Sequence, residues 1–415
     1  MNAFRWLSAM LLCIAGAAFA QQEASLPPVI REIAFEGNET TKPKVMLREI
    51  FIAVGGLADP ERIERSRQAI LDLRLFRSVD VRQEPVADGV RVIFVVREKW
   101  YLLPLPRIGY DSDRHLSYGG QVLWSNIGGL NQTAKINLVR SGSGANAERS
   151  ISGSYDIPFL DESAWAMNLS GGRSSGPQTY PVTYDENTDN AQIIMSKSLS
   201  TPPSSQGWRA GGGILWQNET ATGTDAPESN GHATALVGVA NYRDLRYLIY
   251  SEVGTTFDFR TEIASREVLS DYSYELLTAD WRRYTHIGET PHQSLNFAIS
   301  GGTRFEGPNH GSAFALGGRS TLRAYSSDFL EGNAYYRFAV EYLHPLGWDW
   351  LRGLVVLEAA NTMDRADDID FRRVRTSLGL GLRLRVTWLV NFEIEGGAAI
   401  PLDHRGEPRF FGGKN

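Results

Sequence analysis

Late in this 415-residue chain, Leu378, Leu380, Leu382, Leu384 and Val386 alternate with Ser377, Gly379, Gly381, Arg383 and Arg385. A period of two is the period of a β-strand, whose successive side chains point to opposite faces. In the next segment Val390, Phe392, Ile394 and Ala398 oppose Asn391, Glu393, Glu395 and Gly397. One apolar face for lipid and one polar face for a lumen is the pattern of a transmembrane barrel. Similar runs, separated by turn-rich stretches, reach back to Leu103 and predict about sixteen antiparallel strands over residues 101–415. Nothing after residue 20 approaches the ~18 consecutive apolar residues that a membrane helix needs. Arg383 and Arg385 share a face with Glu393 and Glu395, so a lumenal charge ladder is expected.

The N-terminus carries Arg5, an apolar run from Trp6 to Ala17, and Ala18-Phe19-Ala20 before Gln21. This reads as a secretory signal peptide over residues 1–20 with cleavage after Ala20, followed by a linker over 21–27. Cys13, the single cysteine, falls inside the signal, which leaves no thiol chemistry for the mature chain. A formal net charge of −6 spread over this length is too slight to suggest a nucleic-acid partner.

Residues 28–100 read differently. Ile30 to Glu36 alternates as a strand and runs into Gly37-Asn38. Helices are expected from Lys42 to Ile52 and from Pro60 to Leu75, the second with Ile63, Ala69, Ile70 and Leu73 on one face. Strands follow at Phe76–Val81 and, after Asp88-Gly89, at Val90–Glu98. This strand-helix-helix-strand-strand order, with Gly37-Asn38, Phe76-Arg77-Ser78-Val79 and Val95-Val96-Arg97-Glu98, resembles a POTRA domain. Such domains occur in the superfamily of BamA, TamA and the two-partner-secretion transporters. Leu75 stands where the family usually has glycine. The resemblance implies a domain that faces the periplasm and takes up extended clients along a sheet edge; the plainer alternative is a spacer.

With that module in the periplasm, the odd-numbered connections of the barrel face outside. Long external connections are expected at Gly176–Asn190, Asn218–His232 and Glu306–Glu331, and short internal ones at Ser125–Gly129 and Pro345–Gly347. The Glu306–Glu331 segment becomes the sixth external loop and holds Gly317-Gly318 and Leu322-Arg323-Ala324-Tyr325. That sequence is similar to the Val-Arg-Gly-Tyr or Val-Arg-Gly-Phe motif which the superfamily folds back into its lumen. The resemblance pairs the motif arginine with an acid on the thirteenth strand, where this chain has Val356-Leu357-Glu358-Ala359-Ala360. Ala324 and Ala360 replace glycines and Glu358 replaces aspartate. A guanidinium in a narrow lumen would present its fork of donors to that carboxylate and pin the loop.

The first strand contains Pro104 and Pro106, each of which removes a ladder donor, and the last is a short Pro408–Phe411 ending at Gly412-Gly413. A weak closure between Pro104, Pro106 and Phe410, Phe411, Gly412, Gly413 fits the lateral seam that the resemblance implies. The chain ends Lys414-Asn415, without the terminal aromatic usual in outer-membrane barrels.

No nucleophile elbow, phosphate loop or zinc-protease motif occurs, and the seven histidines lack metal-ligand spacing. No enzyme activity, cofactor or metal is expected. The expected fold is an all-β transmembrane barrel behind one small α+β POTRA domain, in the outer membrane of a Gram-negative bacterium. The expected function is insertion or translocation of unfolded outer-membrane or secreted clients, in contact with the bilayer and with periplasmic accessory proteins. A dedicated transporter for one exported partner and a passive porin-like barrel are the alternatives.

Overall fold

The computed structural model describes residues 27–414 except 112–114, 143–146, 161–162, 179–183, 201, 203, 224–225, 227–230, 308–312, 328, 369, 391 and 404–406. The expected signal peptide, with Cys13 and the cleavage position, lies outside the described residues, as does Asn391.

The N-terminal module consists of β1 (Ile30–Glu36), α1 (Pro43–Leu47), α2 (Pro60–Asp72), β2 (Phe76–Val86) and β3 (Gly89–Glu98). Strand β3 is central, parallel to β1 and antiparallel to β2. Asp59 caps α2 by accepting the Glu61 N–H, and Pro60 occupies its first turn. Ile63 and Ile70 on α2 pack with Ile30, Phe76, Val92 and Phe94 from the sheet; burying each such side chain contributes about 1.5–3 kcal/mol.

Both helices are shorter than the periodicity predicts. Helix α1 ends at Leu47 instead of Ile52 because Glu49 turns toward the barrel and Phe51 N–H bonds the Ser66 hydroxyl. Helix α2 ends at Asp72, with Leu73 as its cap, and Arg74 takes a left-handed φ of 61°. Leu75 is thereby delivered, 3 % exposed, into the core.

Sixteen further strands form one antiparallel sheet with successive strands adjacent. They are β4 (Leu102–Asp111), β5 (His115–Ile127), β6 (Gln132–Ser141), β7 (Glu148–Ile157), β8 (Trp165–Gln178), β9 (Tyr184–Ser198), β10 (Gly207–Thr222) and β11 (Gly231–Tyr247). Then come β12 (Glu252–Ala264), β13 (Tyr274–His286), β14 (Ser294–Glu306), β17 (Ala334–Trp348), β18 (Leu351–Met363), β19 (Arg375–Val386), β20 (Phe392–Pro401) and β21 (Arg409–Lys414). A small hairpin, β15 (Phe314–Leu316) with β16 (Leu330–Gly332), lies within the connection from β14 to β17. The two faces separate as the alternation predicts: on β19, Leu380 and Leu382 are exposed, whereas Ser377 and Arg383 are buried inside.

Several predicted loops are strand. The described residues of 176–190 and 218–232 belong largely to β8, β9, β10 and β11, whose ladders continue through pairs such as Pro177 with Asp185 and Glu219 with Gly231. There both faces are polar, so the hydrophobic alternation stops while the backbone pairing does not. Pro345–Gly347 lies inside β17 at an irregularity in its pairing with β18, and the turn is Asp349-Trp350. Val390 is a buried turn residue ahead of β20. Pro408 precedes β21, and Gly412 and Gly413 lie within it.

The N-terminal domain docks on the turns joining β5 to β6, β9 to β10 and β11 to β12. Asn126 Nδ2 donates to Thr41 Oγ1 at 2.8 Å, and Lys42 N–H to the Gly129 carbonyl at 2.9 Å. Glu49 Oε2 accepts from the Ser205 hydroxyl at 2.7 Å and its N–H at 3.1 Å. Tyr247 enters the domain's hydrophobic core, its N–H donating to Asp72 at 2.7 Å and its carbonyl accepting from Gln68 at 2.9 Å.

Burial pushes the Glu49 carboxyl up to about 7 against the hydrogen bonds from Ser205 and the charge of Arg48. Burial likewise pushes Asp72 up to about 6 and lowers Lys99 to about 7. Raised carboxyls make the docked state bind more protons, so docking strengthens as pH falls from about 7 toward 4.5, opposed by the lowered Lys99 only near the upper end of that window. The expected gain from Glu49 is at most about 3 kcal/mol. Protection of the Ser205 amide, corrected for intrinsic exchange, should show this dependence, and Glu49→Gln should reduce it to the part that Asp72 contributes.

Candidate functional site

The connection from β14 to β17 turns inward. After β15 the chain reverses through Gly317 (φ 145°) and Gly318 (φ 67°) into a single helical turn, α3 (Gly318–Thr321). A Cβ at Gly317 would collide with the Ser326 carbonyl, so glycine is required there. Thr321 Oγ1 accepts the Gly317 N–H and donates to the Gly317 carbonyl, both at 2.7 Å, closing the turn on itself. Leu322, Arg323, Ala324 and Tyr325 follow, all buried. Leu322, Ala324 and Tyr325 pack with Leu316, Val356, Ala399 and Phe411 in a lumenal hydrophobic cluster. Tyr325 also hydrogen-bonds Asp403 and the Thr376 carbonyl, the latter at 3.2 Å, which ties the loop to the β19 and β20 wall.

Arg323 meets carboxylates from three strands. Its Nη1 is 2.5 Å from Glu358 Oε1 on β18, its Nη2 is 3.1 Å from Glu341 Oε1 on β17, and 3.0 Å from Glu395 Oε1 on β20. Its backbone N–H donates to Glu358 Oε2 at 2.8 Å, so main chain and side chain grip the same acid. Arg337 reaches Glu358 at 3.2 Å and the Thr321 carbonyl at 2.8 Å. Arg383 bridges Glu341 at 3.0 Å and Glu395 at 2.5 Å. Ser377 donates to Glu358 Oε2 at 2.9 Å. Three guanidiniums thus face three carboxylates, and the buried cluster is neutral as a unit, the condition under which burying such charges is tolerated.

The structure brings Gly317, Gly318, Leu322, Arg323, Ala324, Tyr325 and Glu358 together. It also draws half of the expected seam into the same site. Phe411 on β21 is 5 % exposed and points inward, with the Arg323 guanidinium 5.3 Å over its ring, while Phe410 is 65 % exposed and points outward. A Cβ at Gly397 would strike the Phe411 ring, so that small residue makes room for it. Gly413 closely approaches Arg319 of α3. Pro104 and Pro106 lie apart on β4, exposed and paired with Val122 and Gly120 of β5. Strands β4 and β21 run side by side yet share no backbone ladder among the described residues. The chain entering β4 is hooked to the wall instead by Trp100 N–H, 3.1 Å from the Trp388 carbonyl.

Sequence reasoning missed Arg337 and Glu341, and placed Glu395 in a charge ladder with Glu393, Arg383 and Arg385 without joining it to Arg323. The signal was present in the alternation of β17, where Arg337, Ala339 and Glu341 share one face. What was lacking was the register that sets Ala339 opposite Glu358. A cavity of about 510 Å³ extends from this cluster toward the N-terminal domain, lined at one end by Arg319 and Arg323 and at the other by Arg74, Tyr247 and Glu252.

Removing Arg323 leaves three carboxylates facing Arg337 and Arg383. The expected cost of Arg323→Ala is on the order of 3 kcal/mol, less where water reaches the acids. The barrel should still insert and keep its heat-modifiable mobility, while the 307–333 segment becomes cleavable by added protease. Glu358→Gln in the same chain should restore part of the resistance.

Residues 28–99 match the POTRA family model, described as "Surface antigen variable number repeat". A stretch of 119 residues is 29% identical to the outer membrane protein assembly factor BamA of Neorickettsia risticii. It takes in 28% of this chain and 16% of that protein, so the chain spans less than a fifth of the curated relative it matches. The fold is similar to that of BamA from Haemophilus ducreyi lacking POTRA domains 1–3, with TM-score 0.58, 15% identity, and 94% and 85% of the two chains covered. It is similar also to CdiB from Escherichia coli, with TM-score 0.63, 13% identity, and 94% and 76% covered. The chain thus carries a domain that matches the POTRA family model, docked on a barrel whose fold is similar to those of BamA and CdiB.

Proposed function

We propose that this protein inserts client polypeptides into the outer membrane through the seam between β4 and β21, with its POTRA domain in the periplasm receiving them. The observation that carries this reading is the seam. All other neighbouring barrel strands share ladders, whereas β4 and β21 lie adjacent without one among the described residues. Backbone groups left without strand partners are what an incoming strand can pair with. Loop six supports the same reading, since Arg323 and Arg319 hold the inner side of β21 through Phe411 and Gly413 and so set where that edge stands. The clients are extended outer-membrane chains, the bilayer is the second partner, and periplasmic accessory proteins deliver the substrate. No cofactor, metal, nucleic acid or covalent chemistry takes part.

A dedicated secretion transporter is the second reading, favoured by the cavity that runs along the barrel interior from the POTRA domain to loop six. A passive pore fits less well, because loop six and its ion pairs occupy the lumen. Depleting the protein and comparing outer-membrane with secreted proteomes separates insertion from secretion: loss of barrel proteins from the membrane is expected, and loss of one exported protein alone would support the transporter.

A disulfide engineered between β4 and β21 should abolish function reversibly with reductant. One joining Leu380→Cys to Ala398→Cys, partners in the β19/β20 ladder, should have no effect. Full activity with the seam crosslinked would overturn lateral insertion.

A further inference from the structure

Arg74 combines two features that neither the domain fold nor the loop-six site requires. It is a non-glycine residue at φ 61°, at the corner where α2 turns into β2. An L-residue held there costs on the order of 1–3 kcal/mol, which glycine would avoid. Its side chain also leaves its own domain: Nη2 lies 2.9 Å from Glu252 Oε1 on β12, and the guanidinium lies 5.5 Å from the Tyr247 ring centroid. The strained backbone is therefore spent on aiming a cation into the barrel.

From Glu252 the ion pairs continue without a gap. Arg385 Nη2 is 3.5 Å from Glu252, and its Nε is 2.6 Å from Glu393. Glu393 reaches Arg383 at 3.6 Å, Arg383 reaches Glu395 at 2.5 Å, and Glu395 reaches Arg323 at 3.0 Å. Signs alternate along all seven members, and the β19/β20 register that sets Arg385 opposite Glu393 and Arg383 opposite Glu395 fixes the central four. Every member after Arg74 has a side chain no more than 17% exposed, so salt screens the chain poorly.

We propose that Arg74 is a positioning residue which couples docking of the POTRA domain to the seating of loop six through this chain of ion pairs. It rests on the reading of loop six as the element that holds the seam edge, and it adds that the POTRA domain sets how firmly that element is held. Removing the first cation draws Arg385 toward Glu252 and away from Glu393, which draws Arg383 toward Glu393 and away from Glu395, so Glu395 holds Arg323 more firmly. Gln68 and Asp72 still fasten the domain to Tyr247, so the domain stays docked while the coupling is lost.

The test is hydrogen exchange on the purified full chain in lipid nanodiscs without client. Arg74→Gly relaxes the corner and removes the guanidinium; amides of residues 317–325 should exchange at least fivefold more slowly, with heat-modifiable mobility retained. Glu252→Gln, nearly isosteric, frees Arg385 for Glu393 and should have the opposite effect, speeding that exchange, which keeps the test open if the first variant folds poorly. Coupling between sites is reciprocal, so Arg323→Ala should slow exchange of the Tyr247 amide by a similar factor. Gln68→Ala breaks a docking contact outside the chain and should leave loop six unchanged. Unaltered loop-six exchange in both Arg74→Gly and Glu252→Gln would overturn the proposal, as would a change in Gln68→Ala equal to that in Arg74→Gly. Because no client is present, coupling observed alongside unchanged proteomes on depletion would fault the insertase reading and leave the coupling standing.

Discussion

The grip of Arg323 on Glu358, Glu341 and Glu395 is the interaction from which the rest of the lumen is organised. A loop of this length has many conformations, and ordering it costs about 1–2 kcal/mol of backbone entropy per residue. The apolar cluster around Leu322 and Tyr325 offsets part of that cost, and the ion pairs select one position among those the cluster would allow. Selection follows from geometry. The three acids come from β17, β18 and β20, so only one placement of a guanidinium satisfies all of them. Charge neutrality of the six-member cluster then makes the buried arrangement affordable in a medium where one unmatched charge would not be.

The seam and the loop are one structure. Phe411 belongs to the last strand by sequence and to the loop-six cluster by packing, whereas Phe410, its neighbour, faces lipid. Strand β21 therefore has a ladder on its β20 side and a side-chain anchor beneath it, and, among the described residues, no ladder on its β4 side. An edge held in this way stays extended and in register without a ladder to β4 among the described residues.

How much of this was legible in the sequence depended on whether the governing pattern was local. Strand existence was legible because lipid and lumen impose opposite polarity on alternate residues, as on β19. Strand ends near Gln178 and Thr222 were not, since hydrophobic contrast vanishes where both faces meet water although the ladder goes on. Arg323 and Glu358 could be paired through a loop motif, yet Arg337 and Glu341 required knowing which residues of different strands stand at one level. Arg74 was illegible for a related reason. A left-handed arginine has no local signature, and its partner Glu252 lies far along the chain.

Strand length carries a mechanical consequence for the membrane. Strand β11 has 17 residues and β21 has 6. At about 3.3 Å per residue, and before any tilt, the first rises ~56 Å and the second ~20 Å. A hydrocarbon layer of ~30 Å is overtopped by one wall and unmatched by the other. Lipid beside β21 must compress or tilt to meet so short a wall, at a cost of fractions of a kcal/mol per Å of mismatch. The shortest described wall of the barrel thus stands on the same line where no ladder joins β21 to β4 among the described residues.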